Sequence, residues 1–201
     1  KEGKSIAIVS DAGMPGICDP GEDIAKSVRS QGIDIISIPG ACAAITALVS
    51  SGLPSSSFVF EGFLPKKQGE RDKILLEISK NIKTTIIYES PKRLKKLLKE
   101  LLDFCGGNRE IFVARELTKK FEEHIGSNIN EVSESFKDKE VIGEITVVVK
   151  GINEKKDLNI NKFIIKKDLN ELINAGLSLS AASKYLAKKN GLKKSEIYNL
   201  I

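Results

Sequence analysis

The hydrophobic and polar positions of this chain fall into three regimes. In the first, apolar runs end abruptly in small and turn-forming residues. Ile6-Ala7-Ile8-Val9 empties into Ser10-Asp11-Ala12-Gly13-Met14-Pro15-Gly16, and residues 35–38 empty into Pro39-Gly40-Ala41-Cys42-Ala43-Ala44. Short apolar runs bounded by turn signals predict buried strands over residues 5–9 and 33–38. A helix is predicted after each, over 22–30 and 41–51. The first has Asp19 as N-cap, Pro20 at its first position and Glu22 three residues after the cap, and Gly32 stops it. Gly52 and Pro54 close the second.

The pattern changes after Ser57. Phe58, Phe60 and Phe63 suit a strand, and further strands are predicted over 84–88, 110–115 and 145–149. Helices are predicted over 72–80 and 91–104. The latter has Ser90 as cap and Leu94, Leu97, Leu98, Leu101 and Leu102 on one stripe. In the third regime helices are predicted over 167–174, 180–189 and 195–200, with stops at Gly176 and Gly191. Leu169, Leu172, Ile173, Ala182, Tyr185, Leu186 and Ile197 would supply their core. That spacing suits a helix-turn-helix-like module, and equally a plain capping bundle. The expected division is 1–53, the later part of a first α/β domain; 54–152, a second; and 153–201, a basic helical domain.

The two Gly/Pro loops carry the candidate chemistry. Glycine admits backbone N–H groups close to a ligand, and proline stiffens the loop. Two strand ends releasing such loops side by side define a crevice at the carboxyl edge of a parallel sheet. Neither loop is G-x-G-x-x-G or G-x-x-x-x-G-K-[ST], so neither common nucleotide fingerprint applies. Two parallel strands cannot form a covered layer alone. An upstream strand and loop are therefore expected, with the chain a fragment whose only methionine is Met14.

Composition narrows the class. The 201 residues, 41% hydrophobic, suffice for one large or two small domains. No apolar run approaches the roughly 18 residues of a membrane span. Cys18, Cys42 and Cys105 form no C-x-x-C and have only His124 to join them, which suits a reduced, cytoplasmic, metal-free protein. Charge is uneven. Residues 151–201 hold ten lysines against five acidic residues, leaving twenty-two of each sign in 1–150, so the whole net charge of +5 lies in the tail. A cationic tail on a neutral body suits a polyanionic partner, and also suits a merely soluble surface.

Seven segments together carry a resemblance: S-D-A-G-M-P-G-I-C-D-P-G at 10–21, I-P-G-A-C-A-A at 38–44, S-G-L-P at 51–54, F-x-F-E-G-F-L-P at 58–65, Y-E-S-P-K-R-L at 88–94, A-R-E-L-T-K-K-F-E-E at 114–123 and G-E-I-T-V-V-V-K-G at 143–151. In that order they resemble the tetrapyrrole methylase superfamily. Within it the chain is most similar to the bacterial family that methylates a cytidine ribose 2′-hydroxyl of 16S ribosomal RNA. The resemblance implies a two-domain α/β fold lacking its N-terminal part and S-adenosylmethionine (SAM) as methyl donor without a metal. It also implies ribosomal RNA or the small subunit as partner, and a homodimer.

For the cofactor, the resemblance and the loop chemistry point to Asp11, Ala12, Gly13, Met14, Pro15, Cys42, Ala43, Glu89 and Leu117. Asp11, Arg115 and Glu116 are the candidate catalytic residues. Asp11 also suits a turn, and Arg115 and Glu116 equally suit ion pairs. Lys92, Arg93, Lys119, Lys120, Lys188 and Lys189 are candidate RNA contacts, with a solvated surface as the plain reading. Asp19 reads as a cap, His124 as structural, and Tyr88 as packing with its hydroxyl near the cofactor. Two other functions compete: a superfamily methyltransferase acting on a porphyrin precursor or diphthamide intermediate, and a non-enzymatic nucleic-acid-binding regulator.

Overall fold

A computed structural model describes residues 3–152, 162–190 and 192–200, with the backbone alone at 162–164. Its centre is a five-stranded sheet built from β1 (Phe58–Phe63), β2 (Thr84–Glu89), β3 (Glu110–Arg115), β4 (Glu123–Asn128) and β5 (Ile145–Val149). The strand order is β1-β2-β5-β3-β4, and only the β1–β2 pair is parallel. That parallel pair needs a crossover, which α3 (Gln68–Lys80) supplies.

Side chains alternate between the two faces, as the pleat requires. Ile87, Val147 and Val113 lie in register and turn to one face, while Ile86, Val148 and Phe112 turn to the other. The first face is covered by α3, α4 (Pro91–Cys105) and α5 (Ile129–Phe136). There α4 buries Leu94, Leu97, Leu98 and Leu101 completely, each contributing about 1.5–3 kcal/mol relative to exposure. The second face is covered by α2 (Ala43–Ser51), through Ala44, Ala47 and Leu48. Small residues let this helix lie close to the strands.

α6 (Lys162–Asn174), α7 (Leu179–Asn190) and α8 (Lys194–Tyr198) enclose their own cluster of Ile165, Leu169, Ala182, Leu186, Ala187 and Ile197. This helical unit docks on the α3–α4 side. Lys167 pairs with Asp72 at 2.9 Å and lies 5.6 Å from the Phe104 ring centroid. No helix among the described residues is long and apolar enough to cross a membrane.

Several expectations are corrected. Residues 5–9 and 33–38 form no strand and pair with none among the described residues, and Ile6 is 90% and Ile36 83% exposed. An apolar run becomes a buried strand only where a partner ladder and a covering layer meet it. Asp19 does not cap α1 (Glu22–Ser30): Gly21 occupies that position, and no side chain accepts from the first turn. Ser90 does stand at the N-cap of α4, yet its hydroxyl accepts from Arg93 Nε instead. α3 begins four residues before its predicted start, and α6 begins five before. Tyr185, expected in the helical core, is exposed. β4 and α5 were not anticipated; E-H-I-G-S-N carries only one aliphatic residue, and its place as a strand comes from pairing with β3. The expected stop Gly191 and the boundary near 153 lie outside the described residues.

Candidate active site

The two Gly/Pro bends meet. Gly13 adopts φ +76°, open to glycine at little cost, and a Cβ there would lie 3.1 Å from the carbonyl oxygen of Ala41. The loops converge on the second face of the sheet, where the N-terminus of α2 approaches the ends of β2, β3 and β5. Between them lies a cavity of about 660 Å3, within the roughly 300–1,000 Å3 span of small-molecule sites.

Of the sequence-predicted cofactor residues, Asp11, Ala12, Gly13, Met14, Cys42, Ala43, Glu89 and Leu117 border this cavity, and Pro15 does not. Residues 75 or more positions apart in the chain are thus brought to one hollow. Cys42 occupies the N-cap of α2 and its carbonyl accepts from Thr46 N at 2.9 Å. The helix therefore opens with small side chains facing the hollow. One of its first N–H groups, that of Ala44, donates to the Tyr88 hydroxyl at 3.0 Å. Burial pushes the Tyr88 hydroxyl up to about 12, so it is protonated at neutral pH. Phe60 stacks edge-on to Tyr88 at 5.0 Å between centroids.

Glu89 reaches the cavity, but its carboxylate does not face it. That side chain is fully buried, accepting from Arg71 Nη2 at 3.2 Å and from Ser90 N at 2.8 Å, and it pairs with Arg93 Nε at 2.7 Å. Arg71, 2% exposed, also donates through Nε to Glu100 at 2.7 Å. Arg71 and Arg93, with Lys96 at 3.6 Å from Glu100, thus surround the two carboxylates beneath the Tyr88-Glu89-Ser90 bend. Arg93, a candidate RNA contact, is committed to this network. The sequence reading missed Arg71, although its position on the Leu75–Ile78 stripe of α3 is a usable signal for a buried cation.

Arg115 and Glu116 stand outside the first cavity. Arg115 donates to Glu123 at 2.9 Å and to the Ile142 carbonyl at 3.3 Å. Glu116 accepts from Glu144 N at 2.9 Å and from Lys119 Nζ at 3.1 Å, and its carboxyl is held below the usual range by that backbone N–H first and by Lys119 next. Lys119 does border the cavity, and its ammonium is held above its ordinary value by Glu116 and then Glu144. This R-E-L-T-K bend is costly: Glu116 and Thr118 sit at φ 52° and 64°, each left-handed non-glycine residue costing about 1–3 kcal/mol. Gly143 makes room for it, since a Cβ there would collide with the Glu116 side chain. Of the remaining candidates, Lys92, Lys120 and Lys188 are exposed, and Lys189 pairs with Asp168 at 3.6 Å.

Among the carboxylates bordering the cavity, Asp11 and Asp19 have no ion-pair or hydrogen-bond partner among the described residues. His124 pairs with Glu122 and packs against Phe112, away from the cavity. No three His, Cys, Asp or Glu side chains among the described residues group as metal ligands.

A mixed α/β sheet with a ligand-sized hollow at the mouths of its glycine-rich bends has the architecture of an α/β protein with a small-molecule-sized site. Residues 1–133 match the family described as Tetrapyrrole (Corrin/Porphyrin) Methylases. The chain belongs to that family. It is 40% identical over 202 residues to a Ribosomal RNA small subunit methyltransferase I from Halalkalibacterium halodurans, covering 99% of this chain and 70% of that protein. It is 41% identical over 198 residues to the protein of the same name from Vibrio cholerae, covering 98% of this chain and 68% of that one. Among solved structures it resembles the methyltransferase CobJ, with a TM-score of 0.51 at 19% identity over 69% of this chain and 62% of that one. Cobalt precorrin-4 methyltransferase, CbiF, gives 0.52 at 15% identity over 69% and 61%. These two likenesses concern the fold.

Proposed function

We propose that the protein is a SAM-dependent methyltransferase of small-subunit ribosomal RNA that transfers its methyl group to the 2′-hydroxyl of a cytidine ribose. The observation that carries this reading is the meeting of the two Gly/Pro bends and the α2 N-terminus around one cavity, in a chain about 40% identical to proteins bearing that rRNA methyltransferase name. The residues fit the donor. Asp11, Ala12, Gly13 and Met14 border the cavity together with Cys42 and Ala43, while Leu117 and Tyr88 offer apolar walls.

When bound, SAM supplies an electrophilic methyl group on a sulfonium. The chain must then align the ribose oxygen with that methyl and receive the hydroxyl proton. Asp11, held by no neighbouring side chain, is assigned to that proton. Arg115 and Glu116 act from outside the cavity, and the Glu116–Lys119 pair sets the shape of the bend carrying Leu117. Lys92, Lys120 and Lys188 contact RNA phosphate. The chain divides at 1–53, 54–152 and 153–201, works in the cytoplasm, and pairs as a homodimer.

The test is transfer of labelled methyl from SAM to small ribosomal subunits or their RNA. No transfer to any RNA overturns the reading. Removing residues 155–201 is expected to weaken RNA affinity and flatten its salt dependence while SAM affinity holds.

A further inference from the structure

The R-E-L-T-K bend has cavities on both sides. Leu117, Thr118 and Lys119 border the first; Arg115 and Glu116 border a second of about 680 Å3, whose other walls include Phe121, Phe136, Val141 and Ile142. Two large apolar side chains stand in water at its mouth, Phe121 at 64% and Ile142 at 66% exposure. Lys120 Nζ lies 5.5 Å from the Phe121 ring centroid.

We propose that this second cavity receives an unpaired RNA base, stacked on Phe121, from a nucleotide next to the one whose ribose enters the first cavity. The proposal rests on the RNA methyltransferase reading and adds a base-binding site to it. An exposed aromatic ring beside a cation is the arrangement on which unpaired bases stack, because every base has a π-face and every nucleotide a phosphate.

The local charges favour a nucleotide over an apolar peptide. Glu123 is held by Arg115 and Lys139, and Glu122 by Thr118 N and His124. Lys120 has no carboxylate partner among the described residues, so its ammonium is available to a phosphate. Among the carboxylates lining the cavity, Glu140 has no ion-pair partner among the described residues and offers an acceptor to a base amino group.

The wall between the two cavities is rigid. Glu116 and Thr118 are fixed in left-handed conformations by the Glu144 N–H and the Glu122 carboxylate, at 2.9 and 2.6 Å. Two consecutive nucleotides gripped across such a wall would be held at a fixed spacing. The stacked base then sets how far the neighbouring ribose reaches toward the methyl donor.

The protein has no tryptophan, so Phe121→Trp places a single indole on the platform. Oligocytidylate is expected to quench its fluorescence, and an abasic ribose-phosphate strand of equal length is not. Phe121→Ala and Phe121→Leu are expected to raise KM for small-subunit RNA about tenfold, with SAM affinity by calorimetry unchanged and Phe121→Trp restoring KM. Equal quenching by the abasic strand, or an unchanged KM in both variants, overturns the platform. Quenching by oligocytidylate in a protein that transfers no methyl to RNA overturns the methyltransferase reading and leaves the platform standing. Intact transfer without quenching overturns the platform alone.

Discussion

The two faces of the one sheet are put to different uses. Against α3, α4 and α5 the strands meet leucine, isoleucine and phenylalanine side chains that fill most of that face, with the second cavity confined to its Arg115–Phe136 end. Against α2 they meet alanines, and beyond that helix's N-terminus the packing stops at a hollow rimmed by backbone. Close packing stabilises, and a site requires its interruption. One face can remain open because the other contributes most of the burial, so mutations on the two faces are expected to separate stability from binding.

The sharpest break in that contrast is Arg71→Met. It removes a buried cation from between Glu89 and Glu100, leaving them only Arg93 and Lys96, and is expected to cost about 3–5 kcal/mol, read by urea denaturation. A loss under about 1 kcal/mol would show that water reaches this network. Next comes Leu97→Ala, with about 2–5 kcal/mol lost from the packed face and SAM affinity retained in the folded fraction. On the open face the order inverts. Ala43→Leu is expected to weaken SAM binding at least about tenfold, or about 1.4 kcal/mol, while the denaturation midpoint barely moves.

Tyr88→Phe lies between the two behaviours. It leaves the Ala44 N–H without its acceptor, at a cost of about 1 kcal/mol. It should also alter the pH dependence. The folded hydroxyl titrates at about 12, whereas an unfolded tyrosine ionises near about 10. Between those values the unfolded state binds fewer protons, so stability falls as pH rises through that window. Tyr88→Phe should remove this part of the slope; an unchanged slope would assign it to other groups. The smallest effect is expected from Tyr185→Ala on the exposed face of α7, within about 0.5 kcal/mol.

What was legible in the chain follows the same division. Helix α4 was readable because its leucines recur at helical spacing and its far side is charged, a pattern that needs no partner to interpret. β2 and β5 were readable as runs dominated by β-branched residues, and β3 as the apolar run I-F-V-A. β4 was not, since its place comes from hydrogen bonds to β3 and not from its own side chains. Residues 5–9 and 33–38 misled for the converse reason: their composition suits a buried strand, but no ladder meets them among the described residues.

At the site, local backbone chemistry was visible from the glycines and prolines of the two bends, because conformational freedom and rigidity belong to the residue itself. The direction of a charged side chain was not. Glu89 sits in a motif that points to the cavity, yet it turns its carboxylate to Arg71 and Arg93, and Glu116 turns to Glu144 and Lys119. By itself the sequence determined every described helix but α5, which bends are open and where net charge accumulates. Only the tertiary structure decided which carboxylates are taken and which, like Asp11, have no ion-pair partner among the described residues. Arg71 meets Glu89, and Glu144 meets Glu116, only once the chain has folded, and the buried Arg71–Glu89 pair draws its strength from the low-dielectric surroundings that folding creates.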